Sequence, residues 1–276
     1  MSDLYAVVGN PINHSKSPQI HSAFAEQTDQ DLIYSAILVP LEKFKAEADS
    51  FFRNGRGLNI TVPFKEDAWQ YADTYSSRAL RAGAVNTLIK KEDGTVHADN
   101  TDGIGMVRDI TVNNACAIAG KRVLVLGAGG AVRGILEPVL EEKPLEVVVA
   151  NRTVSKAQNL AKDFADLGEI SGCGFEQIEG QFDLIINGTS ASLSGELPPV
   201  PESVIHTETT CYDMMYGAEP TVFNQWAANL NAAATLDGLG MLVEQAAESF
   251  NLWRGVRPES SPVIHSIRDS LTQAKA

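Results

Sequence analysis

The sequence of 276 residues contains only three cysteines, Cys116, Cys173 and Cys211, and no CxxC pair. An odd number of widely spaced cysteines argues against a disulfide framework and against a zinc site, and it favours a reducing cytoplasm. No apolar run approaches the roughly eighteen residues that a membrane span requires. The first residues lead from an acid straight into a predicted strand, which is unlike a signal peptide. We therefore expect a cytoplasmic protein that binds no metal and no membrane.

Positive charge is also scarce, because 22 Lys and Arg stand against 35 Asp and Glu and give a formal net charge of −13. This balance disfavours nucleic acid and anionic membranes as partners. An anionic small molecule would meet the same repulsive field, so local cations and helix ends must attract it. Internal repeats and low-complexity tracts are absent as well. The expected partner is a small-molecule substrate, bound by a monomer or a homodimer.

Short apolar strands alternate with helical patterns almost throughout, which is typical of an α/β fold with mainly parallel sheets. In the first part of the chain we predict strands at 5–9, 34–39, 57–62 and 84–89, and helices at 18–27, 43–52 and 64–71. Further on we predict strands at 123–127, 146–150, 184–188 and 209–214, and helices near 104–112, 240–255 and 262–272.

The order of these elements predicts two domains. The last two helices can cross back onto the first part of the chain, which would make the N-terminal domain discontinuous. We therefore predict an α/β substrate domain of residues 1–102 and 238–276, with a Rossmann-like dinucleotide-binding domain of residues 103–237 inserted in it.

A glycine-rich turn joins a predicted strand to a predicted helix in KRVLVLGAGGAVRG, which runs from Lys121 to Gly134. Glycines in such a turn let the backbone approach a pyrophosphate, which then lies at the positive end of the helix. The GxGxxG fingerprint is incomplete, because Val132 occupies the third glycine position and Gly134 comes two residues late. The turn predicts a dinucleotide site, and a plain tight turn of an α/β protein is the alternative.

The next strand, EVVVA, ends in Asn151, Arg152 and Thr153. In NAD enzymes this place usually holds an acidic residue that binds the ribose hydroxyls. An amide, a guanidinium and a hydroxyl suit a 2′-phosphate instead, so the sequence predicts NADP as the cofactor. Arg152 is the preferred phosphate contact. Thr153 and Lys156 are second candidates, and either could simply begin a helix.

The segment GNPINHSKSP places Ser15 and Ser17 just before a predicted helix. Hydroxyls beside the free N–H groups of a helix start form a small anion site that suits a carboxylate. The alternative is that Ser17 is only the N-cap of this helix. His14 and His21 have no second metal-ligand candidate at a useful spacing, so we expect them to form hydrogen bonds or to pack.

The segment NITVPFK places Asn59 and Thr61 on the same face of a strand, which Pro63 then ends. Lys65 falls in the first turn of the following helix, where a cation is normally unfavourable. It either reaches for an anionic partner, or is held for acid–base chemistry, or is a solvated surface lysine.

Two further polar segments are candidates for the same site. ADNTDG supplies Asn100, Thr101 and Asp102. It is either a simple Asx-rich turn or the position of a buried Asp102 carboxylate that pairs with Lys65. Asn86 interrupts the apolar strand AVNTLI, where it either forms hydrogen bonds in the core or faces a cleft.

With the motifs NGTS, YDMMYG and DGLGMLVEQAAESFNLW, the segments above stand in an order that closely resembles the shikimate dehydrogenases, nearly from end to end. The resemblance implies reversible reduction of 3-dehydroshikimate to shikimate with NADPH, in aromatic amino acid biosynthesis. A related branch uses NAD, accepts quinate and carries an acid after the second strand; its absence here implies the NADP-dependent, shikimate-selective branch. A quinate/shikimate dehydrogenase and a catalytically silent NADP-binding regulator are the alternatives.

The resemblance also implies a role for each matching position. Lys65 and Asp102 would form the catalytic pair, with Lys65 giving a proton to the carbonyl oxygen of the substrate. The implied substrate-binding residues are Ser15, Ser17, Thr61, Lys65, Asn86, Asp102, Tyr216 and Gln245. The implied cofactor-binding residues are Gly127, Ala128, Gly129, Gly130, Ala131, Asn151, Arg152, Thr153, Lys156, Met214 and Gly238. The chain departs from the family at NGTS, where alanine is common in place of Gly188, and at Lys156, where many members have arginine.

Overall fold

The computed structural model describes residues 2–273, without the side chain of Leu193. The described chain forms two compact units. The first unit comprises Met1–Gly105 and Val243–Val263, and the second comprises Met106–Leu242 and the chain from Ile264 onward.

The strands of the first unit are β1 (Asp3–Gly9), β2 (Leu32–Leu38), β3 (Gly55–Ile60), β4 (Thr74–Tyr75), β5 (Thr87–Lys90) and β6 (Val96–Asp99). Its helices are α1 (Ser17–Gln27), α2 (Phe44–Phe51), α3 (Lys65–Tyr71) and α4 (Ser77–Ala82). The six strands form one sheet in the order β2-β1-β3-β5-β6-β4. Strand β1 is parallel to β2 and β3, whereas β5 is antiparallel to both β3 and β6. The carboxyl ends of β1, β3 and β6 and the start of β5 therefore lie at the same edge of this sheet.

The strands of the second unit are β7 (Arg122–Leu126), β8 (Glu146–Ala150), β9 (Ile170–Cys173), β10 (Leu184–Asn187), β11 (Thr210–Asp213) and β12 (Ala234–Asp237). The remaining helices are α5 (Asp102–Arg108), which continues as a π-helix over Asp109–Asn113, α6 (Gly130–Glu141), α7 (Val154–Phe164), α8 (Val222–Asn229), α9 (Leu239–Arg254) and α10 (Ser261–Gln273). The strand order β12-β11-β10-β7-β8-β9 is that of a Rossmann sheet, and every pairing is parallel. The predicted fold class is therefore confirmed.

Strand β7 shows why the sequences of the Rossmann strands are continuous apolar runs. Four successive side chains of this strand, Val123 to Leu126, are fully buried. Val123 and Val125 belong to one core cluster and Leu124 and Leu126 to another, because successive side chains point to opposite faces of the sheet. Both faces of this parallel sheet are thus covered, as helical crossovers require.

The first sheet differs from the mainly parallel arrangement that the sequence predicted. Only residues 91–95 connect β5 to β6, and so short a connection joins antiparallel strands. Three elements of this unit, β4, β6 and α4, were not predicted. Asn86 lies in a bend immediately before β5 rather than within a strand.

The predicted division of the chain also differs at its carboxyl end, where all of residues 238–276 were expected in the substrate domain. Residues up to Leu242 and from Ile264 onward belong to the second unit instead. The contacts of Arg268 are part of the reason. Its guanidinium donates to the Gly217 carbonyl oxygen at 2.9 Å and to Oδ1 of Asp237 at 2.5 Å.

His21 lies in an aromatic cluster of the first unit, where it is 1 % exposed. Its ring stacks on Tyr34 with a centroid distance of 4.2 Å and lies 5.3 Å from the ring of Trp253. Burial among these uncharged rings lowers the pKa of His21 to about 3. The packing role that the sequence allowed for this histidine is therefore the one observed.

This burial predicts a specific loss of stability in acid. Below a pH of about 6.5 the unfolded chain protonates His21, whereas the folded chain does so only near pH 3. The free energy of unfolding should therefore fall as the pH drops between these values, by about 2 kcal/mol between pH 6.5 and pH 5 from this residue. Urea unfolding at pH 7 and pH 5 measures it. His21→Phe should lose correspondingly less stability than the wild type, and the exposed-site control His14→Gln should match the wild type. Equal losses in all three proteins would contradict the assignment.

Candidate functional site

Polar side chains meet at one edge of the first sheet because of the strand directions described above. The expected residues at this edge follow β1, follow β3, precede β5 or follow β6; they are Ser15, Ser17, Thr61, Lys65, Asn86 and Asp102. Residues that are far apart in the sequence thus come to one place in the fold.

Lys65 and Asp102 form an ion pair at this edge. Lys65 is the first residue of α3, and its ammonium group donates to Oδ2 of Asp102. The lysine side chain is 32 % exposed and the aspartate side chain 17 % exposed. Asp102, Glu66 and Asp67 offset the unfavourable field that the helix start exerts on a cation. Of the three alternatives for Lys65, the structure shows the one in which the lysine reaches an anionic partner. Because the ammonium group is still partly exposed, it can also pass a proton to a bound molecule.

Asn86 holds the second oxygen of Asp102. Its Nδ2 donates to Oδ1 of Asp102 at 2.8 Å and to Oε1 of Gln245 at 3.2 Å. Gln245 lies on α9 and closely approaches α5, because a Cβ at Gly105 would lie 2.5 Å from its backbone nitrogen. The structure therefore brings together Lys65, Asn86, Asp102 and Gln245. We refer to these four residues as the Lys65 cluster.

Ser15, Ser17 and Thr61 lie at the same edge but form no hydrogen bond with the Lys65 cluster within the described residues. Ser17 is the first residue of α1, and Lys16 holds the N-cap position that the sequence assigned to Ser17. The Ser15 hydroxyl instead accepts from the backbone N–H of Ser17 at 3.3 Å. The two serines still bring hydroxyls to the start of a helix, where an anion can be bound.

In the second unit, the glycine turn leaves the start of α6 open. Gly127 has a φ of 106°, which favours glycine, and Gly129 is the N-cap of a helix that no side chain caps. A Cβ at Gly129 or Gly130 would meet no atom within 4 Å. The free N–H groups and the positive end of α6 are therefore accessible to a phosphate.

A cavity of about 510 Å³ lies over this turn. Asn151 and the exposed Arg152 line it from the end of β8, as expected for a 2′-phosphate site. Thr153 and Lys156 do not line it, although both are exposed at the start of α7. Residues 188–191, 194 and 196–199 form the opposite wall, which was not predicted beyond the motif NGTS. These residues carry no periodic signal, and the position of β10 beside β7 brings them here.

The incomplete glycine fingerprint has a packing explanation. A Cβ at Gly188 would lie 2.4 Å from Cγ2 of Val132 and 3.1 Å from Sδ of Met214. The valine at the third fingerprint position thus fills space that a side chain at Gly188 would otherwise occupy. Val132 stands in place of the third fingerprint glycine, and Gly188 stands in place of the common alanine. The two residues therefore compensate for each other in volume, because the larger side chain on α6 fills the space left by the smaller residue at the end of β10.

Met214 and Gly238 lie next to each other at the ends of β11 and β12. A Cβ at Gly238 would be 2.1 Å from the Met214 carbonyl oxygen, so only glycine fits there. The buried Asp213 carboxylate anchors this region by accepting from Ser192 Oγ at 2.6 Å and from the Met215 N–H at 3.0 Å. Neither Met214 nor Gly238 lines the 510 Å³ cavity. Tyr216 follows them with 37 % exposure.

A Rossmann unit with an open phosphate turn and a basic side chain after its second strand is the cofactor domain of an NADP-dependent enzyme. A separate unit with a lysine–aspartate pair provides for proton transfer to a bound molecule. Fold and residues thus define an NADP-dependent oxidoreductase with distinct cofactor and substrate domains. Among the described residues, no group of His, Cys, Asp and Glu side chains could hold a metal ion, and no helix is long and apolar enough to cross a membrane.

Known families and proteins agree with this class. Residues 7–88 match the shikimate dehydrogenase substrate binding domain, residues 109–194 match shikimate/quinate 5-dehydrogenase, and residues 238–268 match the shikimate 5′-dehydrogenase C-terminal domain. A shikimate dehydrogenase (NADP+) of Cellvibrio japonicus is 61 % identical, with 100 % of both chains covered. The chain belongs to the shikimate dehydrogenase family.

Two solved structures have the same fold over nearly the whole chain. The Ael1 enzyme of Pseudomonas putida is 46 % identical with a TM-score of 0.90, covering 96 % of this chain and 98 % of that one. The shikimate 5-dehydrogenase of Thermus thermophilus, in complex with NADP(H) and shikimate, is 32 % identical with a TM-score of 0.86. That match covers 98 % of this chain and 100 % of the Thermus protein.

Proposed function

We propose that this protein catalyses the reversible, NADPH-dependent reduction of 3-dehydroshikimate to shikimate, a step in chorismate and aromatic amino acid biosynthesis. The observation that carries the proposal is the Lys65–Asp102 ion pair, with Asn86 bonded to the second carboxylate oxygen. It occurs in a chain that is 61 % identical to a shikimate dehydrogenase (NADP+) along its full length.

Substrate binding is assigned to the polar edge of the first sheet. Ser15 and Ser17 receive the substrate carboxylate, because their hydroxyls lie at the start of α1. Thr61, Asn86 and Gln245 face the ring hydroxyls as donors and acceptors of hydrogen bonds. Tyr216 stays a predicted substrate contact.

In the chemical step, Lys65 gives a proton to the carbonyl oxygen of 3-dehydroshikimate. Asp102 holds the ammonium group in place through their ion pair. When bound, NADPH supplies the hydride that the carbonyl carbon receives. Lys65 is one-third exposed and so regains its proton from solvent after the reduction. In the reverse direction it first releases a proton to solvent and then accepts the proton of the shikimate hydroxyl.

The cofactor is assigned to the second unit. The Gly127–Ala131 turn holds the pyrophosphate at the start of α6, where the N–H groups are free. Asn151 and Arg152 hold the 2′-phosphate, and Thr153 and Lys156 add to the attraction from the start of α7. Met214 and Gly238 lie by the nicotinamide.

The proposal also covers the cellular location of the protein and the number of copies that assemble. The three cysteines are free thiols, which suits a reducing cytoplasm. The buried Cys211 has a pKa raised to about 12 and is therefore unreactive at neutral pH. We place the enzyme in the cytoplasm as a monomer or a homodimer.

One spectrophotometric assay tests the proposal. Purified protein is given shikimate or quinate, each with NADP+ and then with NAD+, and formation of the reduced nicotinamide is followed. We expect shikimate with NADP+ to be by far the best pair, since Arg152 stands where NAD enzymes carry an acid. Comparable rates with quinate and NAD+ would support a quinate/shikimate dehydrogenase. No turnover by a protein that still binds NADP+ would support a silent regulator.

A further inference from the structure

Behind the Lys65 cluster lies a set of buried polar side chains to which the proposed function assigns no role. Asn59 is 5 % exposed, and Thr87, Thr101 and Ser249 are fully buried. We propose that Asn59 and Thr87 are positioning residues: they form a hydrogen-bond chain of fixed direction that turns the Asn86 amide so that it donates to Asp102. The inference rests on the proposed function and extends it to two buried residues that it does not assign to substrate binding.

A backbone carbonyl sets the orientation at the first end of the chain. Nδ2 of Asn59 lies 3.2 Å from the backbone oxygen of Asn86, which can only accept a hydrogen bond. The amide nitrogen of Asn59 must therefore face this oxygen. Oδ1 of Asn59 then points the other way and accepts from the Tyr34 hydroxyl at 2.7 Å.

A backbone N–H sets the orientation at the other end. Oδ1 of Asn86 lies 2.9 Å from the backbone nitrogen of Thr101, which can only donate. The amide oxygen of Asn86 must therefore face Thr101. Its Nδ2 is left to face Oδ1 of Asp102 at 2.8 Å. A flipped Asn86 amide would place its Nδ2 against the Thr101 N–H, which is also a donor, and its Oδ1 against Oδ1 of Asp102, which is also an acceptor.

Thr87 joins the two ends. Its hydroxyl receives a hydrogen bond from Nδ2 of Asn59 at 3.2 Å and lies 2.9 Å from Oδ1 of Asn86. Ser249, at 2.7 Å, can donate to it as well as accept, and the Ser249 proton can also go to the Gln245 carbonyl oxygen at 3.0 Å. Of the three neighbours only the Asn86 oxygen is an obligate acceptor, so we assign the Thr87 proton to it, with Ser249 donating to Thr87. The donors then follow one direction, from Tyr34 through Asn59, Thr87 and Asn86 to Asp102.

The chain has a consequence for catalysis. Thr87 and the Thr101 N–H together hold the Asn86 oxygen, so removal of the Thr87 hydroxyl leaves the amide with one of these two restraints. The donation to Asp102 then becomes less well aligned, and with it the position of the Lys65 ammonium group. The position of the reacting proton affects kcat, whereas the affinity of the second unit for the dinucleotide does not depend on that position.

Thr87→Val tests this, because valine matches threonine in shape and lacks the hydroxyl. We expect kcat for shikimate oxidation to fall by about tenfold, the lower end of what outer-shell hydrogen-bond partners contribute at metal sites. The KM for NADP+ should not change. Thr87→Ser keeps the hydroxyl and should retain a kcat close to wild type. Calorimetric titration with shikimate alone should show weaker binding for Thr87→Val than for Thr87→Ser.

Thr209→Val is the matched control. Thr209 is also fully buried, and its hydroxyl donates to the Phe182 carbonyl oxygen at 2.7 Å in the second unit. This variant should lose thermal stability, as Thr87→Val does, and keep its kcat. The proposal is overturned if Thr87→Val keeps the wild-type kcat, if Thr87→Ser is equally impaired, or if Thr209→Val loses kcat to the same extent.

A readout independent of activity separates this inference from the proposed function. In the wild type and in Thr87→Ser, the Asn86 side-chain N–H protons should exchange slowly with solvent in NMR spectra, and in Thr87→Val they should exchange faster. A wild type that does not oxidise shikimate would overturn the proposed function only. Equal exchange in all three proteins would overturn the hydrogen-bond chain.

Discussion

Lys65→Ala is expected to lower kcat for shikimate oxidation by roughly 10²–10⁴ while it leaves NADP+ affinity nearly unchanged. In this direction the Lys65 side chain is assigned to accept the proton of the shikimate hydroxyl, and no other cation contacts Asp102 in the described part of the chain. NADP+ is assigned to the second unit, which contains the glycine turn and Arg152. Steady-state kinetics with both substrates varied, together with NADP+ titration of the unreacted protein, separates the two effects.

Two variants control this experiment. Lys45→Ala also removes a lysine that is ion-paired, here with Asp49, but both partners are largely exposed and lie outside the site. Its kcat should match the wild type. Lys65→Arg keeps the charge but holds its proton too tightly to exchange it, so it should remain strongly impaired. If Lys65→Ala turns over shikimate at nearly the wild-type rate, the acid–base role is wrong.

Arg152→Asp is expected to reduce the preference for NADP+ over NAD+ by roughly 10–100-fold, the equivalent of one hydrogen-bonded charged contact. The exposed guanidinium lines the cavity over the glycine turn and matches a phosphate in charge and geometry. An aspartate there would repel the 2′-phosphate and suit the ribose hydroxyls of NAD+. The measurement is the ratio of kcat/KM values for the two cofactors at saturating shikimate.

Arg53→Asp is the charge-matched control, since Arg53 is exposed in the first unit and its guanidinium donates to the Ser50 hydroxyl at 2.8 Å. It changes the net charge by the same amount as Arg152→Asp and should leave the cofactor ratio unchanged. An unchanged ratio in Arg152→Asp would remove Arg152 from the phosphate site. A fall in the same ratio for Arg53→Asp would mean that overall charge, rather than a contact, sets the preference.

The sequence placed the elements best where a signal is local. Strand β8 runs from Glu146 to Ala150 as predicted, because four apolar residues in a row are flanked by loop residues. Lys65 is the first residue of α3, in the helix start that the sequence predicted just after Pro63. The glycine turn before α6 is also where it was expected, since only glycine adopts the φ of Gly127 without strain.

The sequence alone was least informative where distant segments meet. Asn86 was expected on a strand, yet its position before β5 is what lets its amide reach both Asp102 and Gln245. No periodic pattern in the sequence predicted the wall that residues 188–191, 194 and 196–199 form in the cavity over the glycine turn. The division of the last helices between the two units was likewise decided by contacts such as that of Arg268 with Asp237.

The sequence by itself determined the fold class, the cofactor and the family, because each depends on short motifs whose chemistry is local: a glycine turn, a basic residue after a strand, and a lysine at a helix start. Only the tertiary structure decided which polar groups bond to one another. Strand order and direction bring the ends of β1, β3 and β6 and the start of β5 to one edge. The orientations of the Asn59 and Asn86 amides follow from two backbone groups that the fold brings next to them, a carbonyl that can only accept and an N–H that can only donate.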